Sequence, residues 1–169
     1  VITDPTLAEE ILKLNQHLIT CAPTILQHYM AAYFDNVLEV TLPQARAVVE
    51  KRRRVASVME KVGIRHMGGD CTFYFFIDID PFPGSSLDFA THLLLEHGIA
   101  VVPGSAYGDS TERFIRMSIG AESEERIHDA LFAIRDLIST NSFDSDALSR
   151  KMVEQGVRSF QPVSDQPSC

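Results

Sequence analysis

The chain has 169 residues, of which 45% are hydrophobic, and a formal net charge of −8. That length suits one domain with a real core, or one domain plus a piece of another, and the hydrophobic share excludes a disordered chain. The acidic balance excludes a general attraction to nucleic acid or anionic membrane, and no apolar run approaches the roughly 20 residues of a membrane helix.

The sequence opens as VITDPTL, without Met and without a signal-peptide pattern, so the expectation is a chain whose true start has been removed. Val1-Ile2 reads as the tail of a strand. Asp4 offers an N-cap with Pro5 at the first helical position, and Thr6 with Glu9 has capping-box spacing. The helix predicted from there runs to about Ile19, with Leu7, Ile11, Leu14 and Leu18 on one stripe and Leu12 and Ile19 widening it. After a break at Thr20 to Pro23, a second helix is predicted over Thr24–Asn36, carrying Leu26, Tyr29, Met30 and Tyr33. Both helices bear more apolar surface than they can cover for each other, so they want a further partner.

Thr41-Leu42-Pro43 reads as the start of a third helix of about six turns, ended by Gly63 as a C-cap. It holds the chain's one basic run, Lys51-Arg52-Arg53-Arg54. Four consecutive residues go all the way round a helix, so the run forms no stripe for a nucleic-acid groove and reads as a solvated segment. Thr72–Ile79, TFYFFIDI, then reads as a buried strand. Asp80 to Gly84 is irregular, because two prolines and a glycine forbid a regular element. Ser85 or Ser86 caps a helix that reaches His97 and closes at Gly98.

Ile99–Val102 is a short apolar run stopped by Pro103-Gly104, and reads as a buried strand. Phe114–Ile119 alternates, with Ile115, Met117 and Ile119 on one side and Phe114, Arg116 and Ser118 on the other. One guanidinium therefore sits in mid-strand, where it needs either water or an anionic partner. Ser123 caps a last amphipathic helix, with Ile127, Ala130, Leu131, Ile134, Leu137 and Ile138 inward. Asp146–Gln155 forms at most one loose helix, and Ser159–Cys169 reads as disordered. The order is three helices, then β-α-β-β-α, then a tail: an α+β fold with a small mixed or antiparallel sheet and helices on one face.

Several clusters are weighed as sites and set aside. Cys21, Cys71 and Cys169 are odd in number and far apart, which suits neither a disulfide framework nor zinc, so a reducing, cytoplasmic setting is expected. His17 with Cys21 supplies two ligands across a helix break. His92, Glu96 and His97 lack the spacing that brings two histidines to one face beside a glutamate. Ser105 and Ser110 have no partnered His and Asp, and Gly104 with Gly108 mark a tight loop without a following phosphate-cradling helix.

Taken together and in order, FYFFIDI, the helix ending LLLEHGIAVVPGSAYG, ERFIRMSIG and SEERIHDAL resemble the C-terminal portion of pyridoxal-phosphate-dependent aminotransferases of the aspartate aminotransferase class (fold type I). Upstream, VITDPTLAEEILKLNQHLITCAPTILQHYMAAYF is similar to the stretch that follows the cofactor-lysine segment in that family. The likeness covers about residues 1–140. It implies C-terminal helices of a missing large cofactor domain over residues 1–40 and a long connecting helix over 41–63. It implies the small domain over 64–140, leaving 141–169 as a flexible tail. It further implies transfer of an amino group between an amino acid and a 2-oxo acid, and a homodimeric parent enzyme.

Arg116 matches the family arginine that grips the substrate α-carboxylate through a two-pronged salt bridge, a task for which a planar guanidinium is better shaped than an ammonium. None of the family's cofactor motifs is present. Lys13, Lys51, Lys61 and Lys151 lie on helical or tail segments, so pyridoxal phosphate is expected to be bound mainly by the large domain, and this chain alone is expected to carry no catalytic, cofactor-binding or metal-binding residue. Two other readings stay open: a non-catalytic amino-acid-binding regulatory module of the same β-α-β-β-α order, and an inactive homologue acting as an interaction protein.

Overall fold

A computed structural model describes residues 3–19, 21–140 and 142–157. The expectations for Val1-Ile2 and for Ser159–Cys169 lie outside the described residues. The chain divides into two compact units, Val1–Arg46 and Ala47–Cys169.

In the first unit, α1 (Pro5–Leu18) starts where sequence chemistry places it. The Asp4 carboxylate accepts from the backbone N–H groups of Thr6 and Leu7 at 2.8 and 3.2 Å, satisfying two orphan donors of the first turn. Asp4 alone makes the cap. Glu9 forms no box with Thr6 but pairs with Lys13 one turn on. No residue of α1 is buried. The next helix, α2 (Thr24–Val62), is longer than expected and carries the chain on into the second unit. Its break falls at Tyr33, with φ −127° and ψ 19°, and not at Pro43, which lies within the helix. Gly63 ends α2 as the spacing predicts. Its left-handed φ of 77° lets Gly63 N–H reach Glu60 O and Ile64 N–H reach Met59 O, at 3.2 and 2.9 Å.

The second unit holds an antiparallel three-stranded sheet in the order β1-β3-β2: β1 is Tyr74–Asp78, β2 Val102–Pro103 and β3 Phe114–Ser118. Its α+β character, small antiparallel sheet and helices on one face agree with the sequence reading. Two strand expectations need correction. The first strand is shorter than Thr72–Ile79 and only alternately buried, Phe75 and Ile77 facing the core. The run Ile99–Val102 is mostly not strand. Pairing begins at Val102 and includes Pro103, which an edge strand tolerates because one row of its backbone groups has no ladder partner.

The core joins Phe75, Ile77, Ile115 and Met117 of the sheet to Val55 and Met59 of α2, Phe89 and Leu93 of α3 (Ser86–His97), and Ile127, Leu131 and Ile134 of α4 (Glu124–Ile138). Ser85 and Asp88 cap α3 reciprocally, each side chain accepting from the other's backbone N–H at 3.0 Å. α5 (Ser145–Glu154) packs more firmly than the loose helix expected: Leu148 is buried, and Phe143 just before it lies 4.8 Å from the Phe82 ring.

The basic run proves to be architectural. Arg52 is buried, and its guanidinium donates to the Gly69 carbonyl at 2.8 Å and to the Tyr74 carbonyl while lying 4.0 Å from the Phe75 ring. Lys51 donates to the Glu122 carbonyl, and Arg54 grips Glu124 bidentately at 2.6 and 3.0 Å. Arg53 and Arg54 are both exposed, Arg53 pairing with Glu50 on its own helix. A run that circles the helix points one residue inward and others to flanking elements, so "solvated" describes only part of it.

Candidate functional site

The sheet has one buried face and one half-exposed face, and the site lies on the latter. Antiparallel register sets Arg116 on the central strand directly between Phe76 of β1 and Val102 of β2. Tyr74 lies one pleat further along β1 on the same face, opposite Ser118. The Arg116 guanidinium carbon sits 4.4 Å from the Tyr74 ring centre and 5.2 Å from that of Tyr107. Tyr107 in turn meets Phe76 edge-on at 5.3 Å. The half-buried charge thus faces two aromatic rings, one of which is backed by Phe76.

Among the described residues, the Arg116 guanidinium has neither a carboxylate partner nor a hydrogen bond, although its N–H groups offer five donors. Arg113, three residues earlier, is the contrast. It is consumed by structure, donating to Asp80 Oδ1 at 2.7 Å, the Gly84 carbonyl at 2.8 Å and the Phe82 carbonyl at 2.6 Å. Arg113 fixes the Asp80–Gly84 loop, while Arg116 is left with donors to spare.

Tyr107 reaches the site from the loop Gly104–Thr111, two short 3-10 turns between β2 and β3. The loop is tied down at several points. Thr111 Oγ1 donates to the carbonyls of Gly104 and Gly108 at 2.7 and 2.9 Å, and Ser105 N–H donates to Ser86 Oγ at 3.2 Å. Ser86 N–H donates to Glu112 at 3.0 Å. At Gly104 a Cβ would stand 1.8 Å from the Thr111 carbonyl oxygen, so only glycine closes this turn.

Ser105 and Ser110 lie in this loop, with Ser105 engaged by Ser86. His92 and His97 rings are 6.2 Å apart, and Glu96 pairs with Lys151. Burial holds the His92 imidazole below its ordinary value, partly offset by Glu96; the hydrogen bond from Lys151 holds Glu96 below the usual carboxylate value. No group of three or more metal-ligating side chains converges among the described residues. None of the lysines is an unengaged amine in a closed pocket. Lys13 pairs with Glu10 at 2.8 Å, Lys51 binds loop carbonyls, Lys151 pairs with Glu96, and Lys61 is exposed.

The sequence singles out Arg116 as a candidate and leaves Tyr74, Tyr107, Arg113 and Arg52 unmarked. Tyr74 carried a usable signal, since it keeps strand phase with Phe76. Tyr107 carried none, because an irregular loop has no period from which its direction can be read.

A family model described as aminotransferase class I and II matches residues 1–134. The chain is 32% identical over 131 residues to a putative aminotransferase, YugH, of Bacillus subtilis, covering 76% of this chain and 33% of that protein. It is 30% identical over 140 residues to the (5-formylfuran-3-yl)methyl phosphate transaminase of Methanocaldococcus jannaschii, covering 82% and 37%. Among solved structures it resembles an aspartate aminotransferase of Thermotoga maritima, with a TM-score of 0.60, 28% identity, and coverage of 82% of this chain and 35% of that one. The chain therefore spans about a third of the length of the relatives it matches.

Proposed function

Because the chain belongs to the aminotransferase class I and II family, we propose that it is the substrate-gripping part of an aminotransferase that moves an amino group between an amino acid and a 2-oxo acid. In this reading residues 1–40 are the last helices of a large domain, 41–63 a connecting helix, 64–140 the small domain and 141–169 a tail. The working enzyme is a homodimer.

The observation that carries the proposal is the state of Arg116. A half-buried guanidinium on the central strand, with no anion beside it among the described residues, is free to take an anion from elsewhere in place of water. A substrate α-carboxylate supplies that charge with matching two-pronged geometry.

The family implies pyridoxal phosphate. The residues present do not fit it, since every lysine here is ion-paired, bound to carbonyls or exposed on a helix. Schiff-base chemistry needs an activated amine. The cofactor's site would be built by residues outside positions 1–169.

The test is Arg116→Lys in a full-length protein carrying this sequence. The variant keeps the charge and loses the fork, so kcat/KM for amino and 2-oxo acids should fall by about 1–3 kcal/mol in transition-state terms. Amines without a carboxylate should be affected much less. Equal losses for both substrate types would make Arg116 structural.

A further inference from the structure

The loop Gly104–Thr111 is fastened at several points by side-chain hydrogen bonds, and the one aromatic ring it carries ends beside Arg116. Resting on the reading of Arg116 as the carboxylate grip, we infer that Tyr107, together with Tyr74, is a positioning residue that holds the guanidinium without occupying its donors.

A long arginine side chain loses rotamer freedom when it is fixed, so an arginine that waits for a ligand gains from being ordered beforehand. Ordering it with a carboxylate would place a competitor on the same N–H fork that the ligand must use. Aromatic rings avoid that conflict, because the ring quadrupole attracts the cation and accepts no strong hydrogen bond from its edge. Both rings stand within the cation–π range of about 6 Å, at 4.4 Å for Tyr74 and 5.2 Å for Tyr107. Among the described residues no hydrogen bond reaches the guanidinium.

The support continues outward. Phe76 meets the Tyr107 ring at 5.3 Å, Thr111 closes the loop through two carbonyls, and Ser105 ties it to the first turn of α3 through Ser86. The Tyr107 hydroxyl makes no hydrogen bond among the described residues, so the ring face rather than the phenol is the working part. Arg113, just beyond the loop, already spends three of its five N–H donors on a carboxylate and two carbonyls.

The experiment follows the Arg116 Nε–H resonance of the 169-residue chain by NMR, with pyruvate as the carboxylate probe. In the unaltered chain the group should show ring-current displacement and high order, and should shift as pyruvate is added. Tyr107→Phe should reproduce all three. Tyr107→Ala, and Tyr107→Leu, which keeps an apolar side chain at Phe76, should lower the order and weaken pyruvate binding by about 2- to 5-fold, the loss of one exposed cation–π contact. Backbone amide spectra report whether each variant is folded; if Tyr107→Ala is not, the Leu variant decides. Undiminished Arg116 order in a folded Ala or Leu variant overturns the inference. An ordered Arg116 in the unaltered chain that ignores pyruvate overturns the carboxylate reading and with it the ligand role of the clamp. The ordering by Tyr107 is still judged by the variants.

Discussion

Arg52 and Arg116 have similar surroundings by composition and opposite fates. Both lie near the aromatic strand β1, and both have a guanidinium within 4.4 Å of a ring. Arg52 is closed off because backbone carbonyls of Gly69 and Tyr74 absorb its donors. Arg52→Met, which keeps the length and apolar stem, should therefore destabilise the fold by about 1–3 kcal/mol by stranding those carbonyls, measured by urea unfolding. A change near zero would mean that water replaces the guanidinium at no cost. Replacing Arg116 by Met should cost far less stability, because no described polar group depends on it. The place of Arg116 was legible in the alternation Phe114–Ile119, since period two sets the face of every residue once one is fixed. The burial of Arg52 was not legible: in a run of four cations, identity alone does not say which one points inward.

At the scale of elements, the loop and the α3–α5 contact each carry a prediction. Gly104→Ala forces a Cβ into the Thr111 carbonyl, 1.8 Å away, so the turn must open. We expect a loss of about 1–3 kcal/mol by thermal or urea unfolding, as for overpacking elsewhere. The Tyr107 ring should lose its place beside Arg116. Wild-type stability in this variant would show that the turn relaxes freely.

The α3–α5 contact predicts a pH dependence through His92. Burial lowers this imidazole from its ordinary value of 6.5, with Glu96 opposing and His97 and Lys151 assisting. A lowered histidine value means that the unfolded chain takes up the proton first. Stability is therefore full above the ordinary value and is lost as pH falls through it toward the folded one. His92→Gln should flatten the fall in melting temperature between about pH 7.5 and about pH 5.5, a window above the range in which Glu96 titrates. An unchanged slope would place the sensitivity elsewhere. Capped elements such as α3 and α4 were readable because Ser85, Ser123 and Gly98 announce their ends chemically. The continuity of α2 was not, because Pro43 and its neighbours mimic a helix start while the break at Tyr33 has no sequence marker.

For the whole molecule, the first unit is the informative part. Leu7, Ile11, Leu14, Leu18, Leu26 and Tyr29 lie at helical spacing, and all are 40% exposed or more. Faces of this kind are rare on free monomers. The chain should associate with itself in sedimentation at micromolar concentration, and Leu14→Glu with Leu18→Glu should raise the monomer share. A compact monomer at every concentration would oppose the large-domain assignment of residues 1–40.

In the proposed division this segment grips substrate while the cofactor is held elsewhere. Titration of the 169-residue chain with pyridoxal phosphate, followed by absorbance, borohydride trapping and peptide mapping, tests it most directly. Weak labelling scattered over Lys13, Lys51, Lys61 and Lys151 is expected. Stoichiometric labelling of one lysine at micromolar cofactor would contradict it.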